Sequence, residues 1–188
     1  GEQRGTMFRP LLLLSYALNY ASNKWFGLDG YDVRAYRLVN ILLHVACSTL
    51  VYGLVYRFSG RGAAVAAGAI FLLHPAHGEL MNYISSRSDL LVSCFYLGAL
   101  LLAVQERKPF HWGAYAAYIA ALLSKSVAIT LPVAIGGYEL WKAGWQQLRK
   151  NWLGYGLLGG ISLAYLVVIV GNRFIPSSIE KAPRALDV

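Results

Sequence analysis

Blocks of apolar residues, each close to the length that crosses a lipid bilayer, constrain this chain more than any other feature of its sequence. The hydrocarbon core of a bilayer requires about 20 apolar residues of helix, and residues 38–56 and 152–170 supply such runs without a formal charge. In a bilayer every backbone polar group must be paired internally, so blocks of this length favour helices. The sequence therefore predicts an all-α, polytopic membrane protein.

Polar breaks between the blocks predict about six transmembrane helices within a membrane domain of residues 38–171. Ser59-Gly60 with its flanking arginines ends the first span, and Lys125 divides an apolar stretch that is too long for one crossing. The predicted spans are residues 38–56, 62–80, 89–104, 110–124, 127–141 and 152–170.

The two ends of the chain differ from the spans. A helix from about Pro10 is short and dotted with polar residues, so residues 1–37 are expected to form an outer-side loop with an interfacial helix. Residues 172–188 are expected to form an outer-side polar tail.

The composition supports a membrane protein and excludes a nucleic-acid-binding one. Hydrophobic residues make up 57% of the chain and charged residues 14%, which is too little charge to cover a soluble domain. The net charge of +8 suggests nucleic acid as a partner. However, the cations lie at the ends of apolar blocks rather than on one soluble face, so the expected partner is the lipid bilayer.

The distribution of cations predicts the orientation in the membrane. One set of short loops is rich in positive charge and should face the cytoplasm. Its cations are Arg57, Arg61, Arg107, Lys108, Lys142, Arg149 and Lys150. Several tryptophans fall at the same interface, as an aromatic belt would. The loops at the opposite ends of the spans are then outer or lumenal.

The unusual polar residues of the spans gather on that outer side. They are Arg9, Arg34, Arg37, Asn40, His44, His74, His77, Glu79, Arg87, Asp89 and Lys125. Ionisable groups within or beside a membrane are costly, which makes them functional candidates. An excess of cations suits an anionic ligand, above all a lipid phosphate or pyrophosphate headgroup.

Structural explanations for the same residues remain open. Arg34, Arg37 and Arg87 can extend to lipid headgroups, and Asn40 with His44 can form an interhelical hydrogen-bonding pair. Arg87 with Asp89 can be an ion pair at a helix start, and Lys125 can simply occupy a helix turn. Each alternative assigns the residue to packing or anchoring rather than to a ligand.

The segment His74-x-x-His77-x-Glu79 raises a metal site as another alternative. His74 and His77 share a helical face, whereas Glu79 lies about 200° around a helix from His77. A joint site would require the helix to unwind near Pro75. No metal is therefore assigned, and a divalent cation is kept only as an alternative cofactor.

Four segments resemble the membrane domain of the GT-C glycosyltransferases, in particular the tetratricopeptide-repeat-linked protein O-mannosyltransferases and their bacterial relatives. They are FRPLLLLSYALNY at 8–20, YRLVNILLHVACSTLVYGLVYRFSG at 36–60, HPAHGELMNYISSRSDLLVSCFYLGALLL at 74–102 and LLSKSVAITLPVAIGGYEL at 122–140. The resemblance covers most of residues 8–140 and implies a partial GT-C fold.

The resemblance also implies an activity. It predicts transfer of a hexose such as mannose from a polyprenyl-phosphate donor to an acceptor on the outer face of a bacterial inner membrane or the endoplasmic reticulum. By the same resemblance, Arg87, Lys125 and Arg9 contact the donor phosphate, while His77 and Glu79 are acid–base candidates. His74, Asn40 and His44 complete the predicted lining of the site.

Departures from the family pattern keep a second function open. The family's catalytic carboxylate precedes the Arg-Pro-Leu segment and is absent from this chain, and Ser126 stands where the family has Glu. The chain alone is therefore expected to be inactive, although its parent is expected to be an enzyme. The alternative is a non-catalytic subunit that uses a degenerate GT-C scaffold, with the small-residue faces at 62–68 and 154–160 packing against other membrane subunits.

Overall fold

The computed structural model describes residues 8–105 and 112–171, and every regular element in these two ranges is helical. Three short 3₁₀ segments, at Pro75–His77, Ile84–Ser86 and Ser126–Thr130, connect the longer helices. The α-helices are α1 (Pro10–Trp25), α2 (Val33–Leu73), α3 (Gly78–Asn82), α4 (Arg87–Gln105), α5 (Trp112–Ser124), α6 (Leu131–Lys150) and α7 (Trp152–Gly171). The predicted polar tail at 172–188, the loop cations Arg107 and Lys108 and the first residues of the span predicted at 110–124 lie outside the described residues.

Helix α2 folds back on itself at Gly60. Gly60 has a φ of 78° and a ψ of −177°, a conformation that glycine tolerates best. The Ser48 hydroxyl donates to the Gly68 carbonyl at 2.8 Å, and His44 Nε2 donates to the Leu72 carbonyl at 3.1 Å. A straight helix would place His44 and Leu72 about 40 Å apart. Residues 33–59 and 61–73 are therefore antiparallel arms, and the chain reverses where the sequence predicts a turn.

Helix α6 reverses in the same way at Gly144, which has a φ of 74°. Asn151 Nδ2 and the Tyr155 hydroxyl both donate to the Glu139 carboxylate, the latter at 2.6 Å. In a straight helix, residues 139 and 151 would lie about 18 Å apart. The buried carboxylate thus joins the part of α6 before Gly144 to the start of α7.

The helices form a bundle in which α4 packs against α5 and the first arm of α2. Cys47 Sγ lies 3.6 Å from the Leu90 carbonyl, and Gly53 approaches Leu101 further along both helices, so this arm and α4 run in the same direction. The core lies among α4, α5, α6 and α7. Its fully buried members include Ala99, Tyr118, Leu122, Leu131 and Ile135.

Helix α1 lies across one end of this bundle. Near its beginning the Phe8 ring is 6.3 Å from the Tyr165 ring, and in its middle the Tyr16 hydroxyl donates to the Ile84 carbonyl at 2.8 Å. Near its end Asn23 Nδ2 donates to the Gly30 carbonyl at 3.1 Å. All of these contacts are made at the end of the bundle where α4 begins, which we call the outer end, following the orientation predicted from the sequence.

Three helical segments are long and apolar enough to cross a membrane, namely Val33–Leu73, Ile84–Val104 and Trp152–Gly171. The sequence predicts about six spans, so the described residues support an all-α membrane architecture without establishing that number. The span predicted at 62–80 is shorter than expected, because its helix ends at Leu73. The ring of Pro75 disfavours helical geometry at His74, which is extended.

Candidate functional site

Arg87 joins three helices at the outer end of the bundle. Its Nε donates to Asn40 Oδ1 at 3.0 Å, and its Nη2 donates to Asn19 Oδ1 and to the Tyr36 carbonyl, both at 2.9 Å. The guanidinium carbon also lies 4.8 Å from the centre of the Tyr16 ring and 5.2 Å from that of Tyr36. One cation at the first residue of α4 thus connects α1 and α2 to α4.

This arrangement differs from the predicted role of Arg87 as a phosphate ligand. Its side chain is 0% exposed, and a further N–H donates to the Ser15 carbonyl at 3.4 Å. A phosphate could reach the guanidinium only after α1 had moved away. In this conformation Arg87 belongs to the framework of the site. Asn40 does too, because its Nδ2 donates to the carbonyls of Leu80 and Tyr83 rather than pairing with His44.

Lys125 lies between α5 and the next 3₁₀ segment, where its backbone is extended. Its ammonium group forms an ion pair with Asp89 on α4. The Lys125 and Asp89 side chains are 32% and 42% exposed, so both can reach a ligand. The alternative that Asp89 pairs with Arg87 is wrong. Two residues apart on α4, these side chains point to nearly opposite faces of the helix.

Three histidines cluster at the outer ends of the arms of α2. The His77 ring lies 5.1 Å from that of His44 and 6.0 Å from that of His74, and it packs against Phe71 at 4.5 Å. His44 is 1% exposed, and its Nδ1 has no partner among the described residues. Burial, with smaller contributions from the His44 and His74 rings, lowers the pKa of His77 below its ordinary value of 6.5.

The structure does not assemble the predicted metal alternative. The residues that it describes contain no group of three or more His, Cys, Asp or Glu side chains placed to hold a metal ion. Glu79 is exposed on α3, and His74 Nδ1 accepts a hydrogen bond from the Ala76 amide at 3.2 Å. The rings of His44 and His74, rather than the carboxylate of Glu79, are the titratable groups beside His77.

An apolar groove of about 260 Å³ begins one helical turn below Asp89. Val92 and Ser93 follow Asp89 by three and four residues, so they lie on the same face of α4. Arg9 also reaches this region, since its Nη1 donates to Ser88 Oγ at 3.1 Å. The groove is lined by Phe71, Val92, Ser93, Tyr96, Leu97 and Val127.

Comparison with known proteins places this chain in a family. The model of the dolichyl-phosphate-mannose-protein mannosyltransferase family matches residues 15–170. The chain belongs to this mannosyltransferase family. The resemblance to GT-C protein O-mannosyltransferases predicted from the four segments is thereby confirmed.

The curated relatives are much longer than this chain. Protein O-mannosyl-transferase Tmtc1 of Drosophila melanogaster is 37% identical over 135 residues, which cover 69% of this chain and 15% of the relative. Protein O-mannosyl-transferase Tmtc2 of the same organism is 29% identical over 189 residues, covering 92% of this chain and 20% of the relative. The mouse protein O-mannosyl-transferase TMTC2 is 39% identical over 104 residues, covering 53% and 11%. No solved structure matches the chain.

The mannosyltransferase fold thus brings some predicted site residues together and separates others. Lys125 pairs with Asp89, Arg9 contacts the neighbouring Ser88, and His77 packs against Phe71, which lines the groove. By contrast, Arg87 and Asn40 are occupied in the framework and Glu79 is exposed.

The sequence interpretation did not include Glu139, which is 6% exposed within α6. A lone carboxylate in an apolar stretch was the available signal for a polar contact inside the bundle.

Proposed function

We propose that this chain is part of the membrane domain of an enzyme that transfers mannose, or a related hexose, from a polyprenyl-phosphate donor to an acceptor at the outer or lumenal face. The observation that supports this most directly is the half-exposed Lys125–Asp89 pair at the upper end of an apolar groove. The membership of the chain in a mannosyltransferase family supports the same class of donor. The expected location is the endoplasmic reticulum membrane or a bacterial inner membrane.

The groove and the ion pair together suit a lipid with an anionic head. Apolar side chains dominate the lining, which favours an isoprenoid chain over a soluble ligand. A lysine ammonium group has three N–H donors, and one of those of Lys125 goes to Asp89. The remaining donors can bind the phosphate that joins the lipid to the sugar. Arg9, held beside Ser88, would supply a second cation.

The reaction expected at this site is an inverting transfer. The acceptor hydroxyl attacks the anomeric carbon of the sugar while the bond from that carbon to the phosphate oxygen breaks. The bonding electrons leave with the polyprenyl phosphate, and the hydroxyl proton passes to a base. Lys125 would stabilise the negative charge that develops on the phosphate, the kind of interaction that acts most strongly in the transition state.

His77 and Glu79 remain the proposed acid–base residues, and His77 has the more suitable environment. Its lowered pKa keeps the imidazole neutral at pH 7, so that it can accept a proton. Glu79 is exposed two residues further along the chain. Asp89 is expected to position the Lys125 ammonium group rather than to act as the base, because it is already paired.

The test is transfer of labelled mannose from dolichyl-phosphate mannose to a serine- and threonine-containing peptide by the full-length parent protein. Lys125→Ala should lower kcat/KM by about 100-fold or more, the effect expected when a group that stabilises transition-state charge is removed. Lys24→Ala is the matched control, since this exposed lysine lies at the same end of the bundle and its ion pair, at 3.9 Å, is with the exposed Asp29. Wild-type transfer by a folded Lys125→Ala variant would refute the proposal.

Two observations favour the non-catalytic alternative. Arg87 is fully engaged by protein groups, and the glycines of α7 form an open face. A side chain added at Gly156, Gly159 or Gly160 would meet nothing within 4 Å. Such a face can pack closely against another membrane helix. If the full-length wild type transferred no sugar, and if Gly160→Leu released a copurifying membrane subunit, the chain would be a scaffold rather than part of an enzyme.

A further inference from the structure

A cationic pocket lies at the end of the bundle opposite the candidate donor site. It has a volume of about 330 Å³ and is framed by the end of the first arm of α2, the last residues of α4 and the middle of α6. Arg57 and Lys142 supply a positive charge from two different helices. The complete lining is Arg57, Phe58, Val104, Tyr138, Trp141 and Lys142.

The two cations of this pocket are not neutralised by a described carboxylate. The ion pairs found in residues 8–105 and 112–171 involve Lys24, Arg34 and Lys125, and none involves Arg57 or Lys142. The nearest acid along α6 is Glu139, which is buried and accepts hydrogen bonds from Asn151 and Tyr155. The residues that line the pocket in the described part of the chain therefore present a net positive charge to a ligand.

Aromatic rings form the rest of the pocket and fix its shape. The Phe58 ring lies 5.6 Å from that of Tyr138 and 6.2 Å from that of Trp141. Lys142 Nζ donates to the Tyr138 hydroxyl at 2.9 Å and lies 5.5 Å from the centre of the ring. The Lys142 ammonium group is thus held in place with further N–H donors available.

The depth of the pocket matches a lipid headgroup region. Val104 follows Arg87 by 17 residues of continuous helix, which places the pocket about 25 Å from the outer end. This distance is close to the thickness of the hydrocarbon core. Trp141 is 76% exposed and Phe58 49% exposed, as expected of aromatic side chains at a membrane interface.

We propose that this pocket binds the phosphate of an anionic phospholipid from the leaflet at that end of the bundle. Arg57 and Lys142 would contact the phosphate from opposite sides, while the exposed rings of Phe58 and Trp141 would pack against the glycerol and the first carbons of the acyl chains. A free phosphate ion would be recognised by the same two cations, but it would gain nothing from the aromatic rim. This site does not depend on the sugar-transfer function.

The experiment measures lipid binding to the purified full-length protein in phosphatidylcholine nanodiscs that contain 10 mol% phosphatidylinositol 4-phosphate, with retained lipid counted by native mass spectrometry. The test variant is Arg57→Gln/Lys142→Gln. The matched control is Arg149→Gln/Lys150→Gln, which removes two exposed cations from the same end of the bundle but outside the pocket. The pocket variant should bind the anionic lipid about 30-fold more weakly, and the control about threefold or less.

Two results would overturn the proposal. An equal loss of binding in both variants would mean that the lipid responds to diffuse surface charge. If 10 mM inorganic phosphate displaced the lipid from the wild-type protein, the ligand would be a soluble anion. A second measurement guards against misfolding, since the anionic lipid should raise the thermal unfolding midpoint of the wild type and the control but not that of the pocket variant.

Discussion

Replacing Arg87 with methionine tests whether this residue is part of the framework or a ligand for the donor phosphate. Methionine fills much of the same volume but donates no hydrogen bond. The change would leave Asn19 Oδ1 and Asn40 Oδ1 without their donor in positions that are 5% and 0% exposed. It would also remove the cation from between the rings of Tyr16 and Tyr36.

The expected loss of stability follows from these contacts. Each buried acceptor that loses its donor costs about 1–3 kcal/mol. The Ser15 and Tyr36 carbonyls lie in helices and keep their helical bonds, so they add less. A total of about 3–5 kcal/mol agrees with the usual cost of removing one partner from a buried polar network. For a domain of this size, that corresponds to a fall of roughly 6–20 °C in the unfolding midpoint.

The assay can use a thiol-reactive fluorophore, because Cys47 is 0% exposed and packs against α4 only one turn below Arg87. Arg34→Met is the matched control. Its side chain is 94% exposed and its ion pair with Asp32, at 3.6 Å, should contribute less than about 1 kcal/mol. An Arg87→Met variant that melted within about 2 °C of the wild type would refute the framework role. If that variant also lost transfer activity, Arg87 would act on the substrate instead.

Three further predictions use the same unfolding assay. Gly60→Ala should cost about 1–3 kcal/mol because its backbone conformation is essentially restricted to glycine, whereas Gly62→Ala, in open helical space, should cost nothing. Tyr118→Phe should cost about 1 kcal/mol by removing the 2.6 Å hydrogen bond to Ser162, and additive losses in the double variant with Ser162→Ala would contradict this coupling. The pKa of His77 is lower in the folded than in the unfolded chain, so protonation of His77 lowers the free energy of unfolding. This loss is absent well above pH 6.5 and grows as the pH falls through the folded-state pKa. His77→Gln should therefore flatten the decline in midpoint between pH 7.5 and pH 5, and an unchanged slope would contradict the prediction.

The parts of the fold that could be predicted from the sequence are those governed by local chemistry. Gly60 lies between Arg57 and Arg61 at the end of an apolar block, and it correctly predicted the reversal of α2. The end of its second arm was predicted too late, because the span predicted at 62–80 included the polar residues from His74 to Glu79 at its far end. The constraint that Pro75 places on His74 ended the helix at Leu73 instead.

The candidate site, too, could be predicted from the sequence only in part. The polar residues at the outer end could be identified from the sequence, since polar and ionisable groups are rare and energetically costly within apolar segments. The partners of these residues could not be identified from the sequence. Side chains two residues apart on a helix face nearly opposite ways, and the partner across the bundle depends on how the helices pack. Asp89 pairs with Lys125 rather than with Arg87 for this reason.

By itself, the sequence determined that the chain is helical, that it belongs in a membrane and that it resembles a mannosyltransferase, since these conclusions depend on the local density and order of residue types. Only the tertiary structure decided which cations remain available to a ligand. Arg87 and Lys125 have the same sign of charge, and each stands at a break between two apolar blocks of the sequence. Arg87 is buried by α1 and α2, whereas Lys125 remains partly exposed at the outer end of a groove. This difference arises from contacts between residues that are 36 to 72 positions apart in the chain, which no local pattern records.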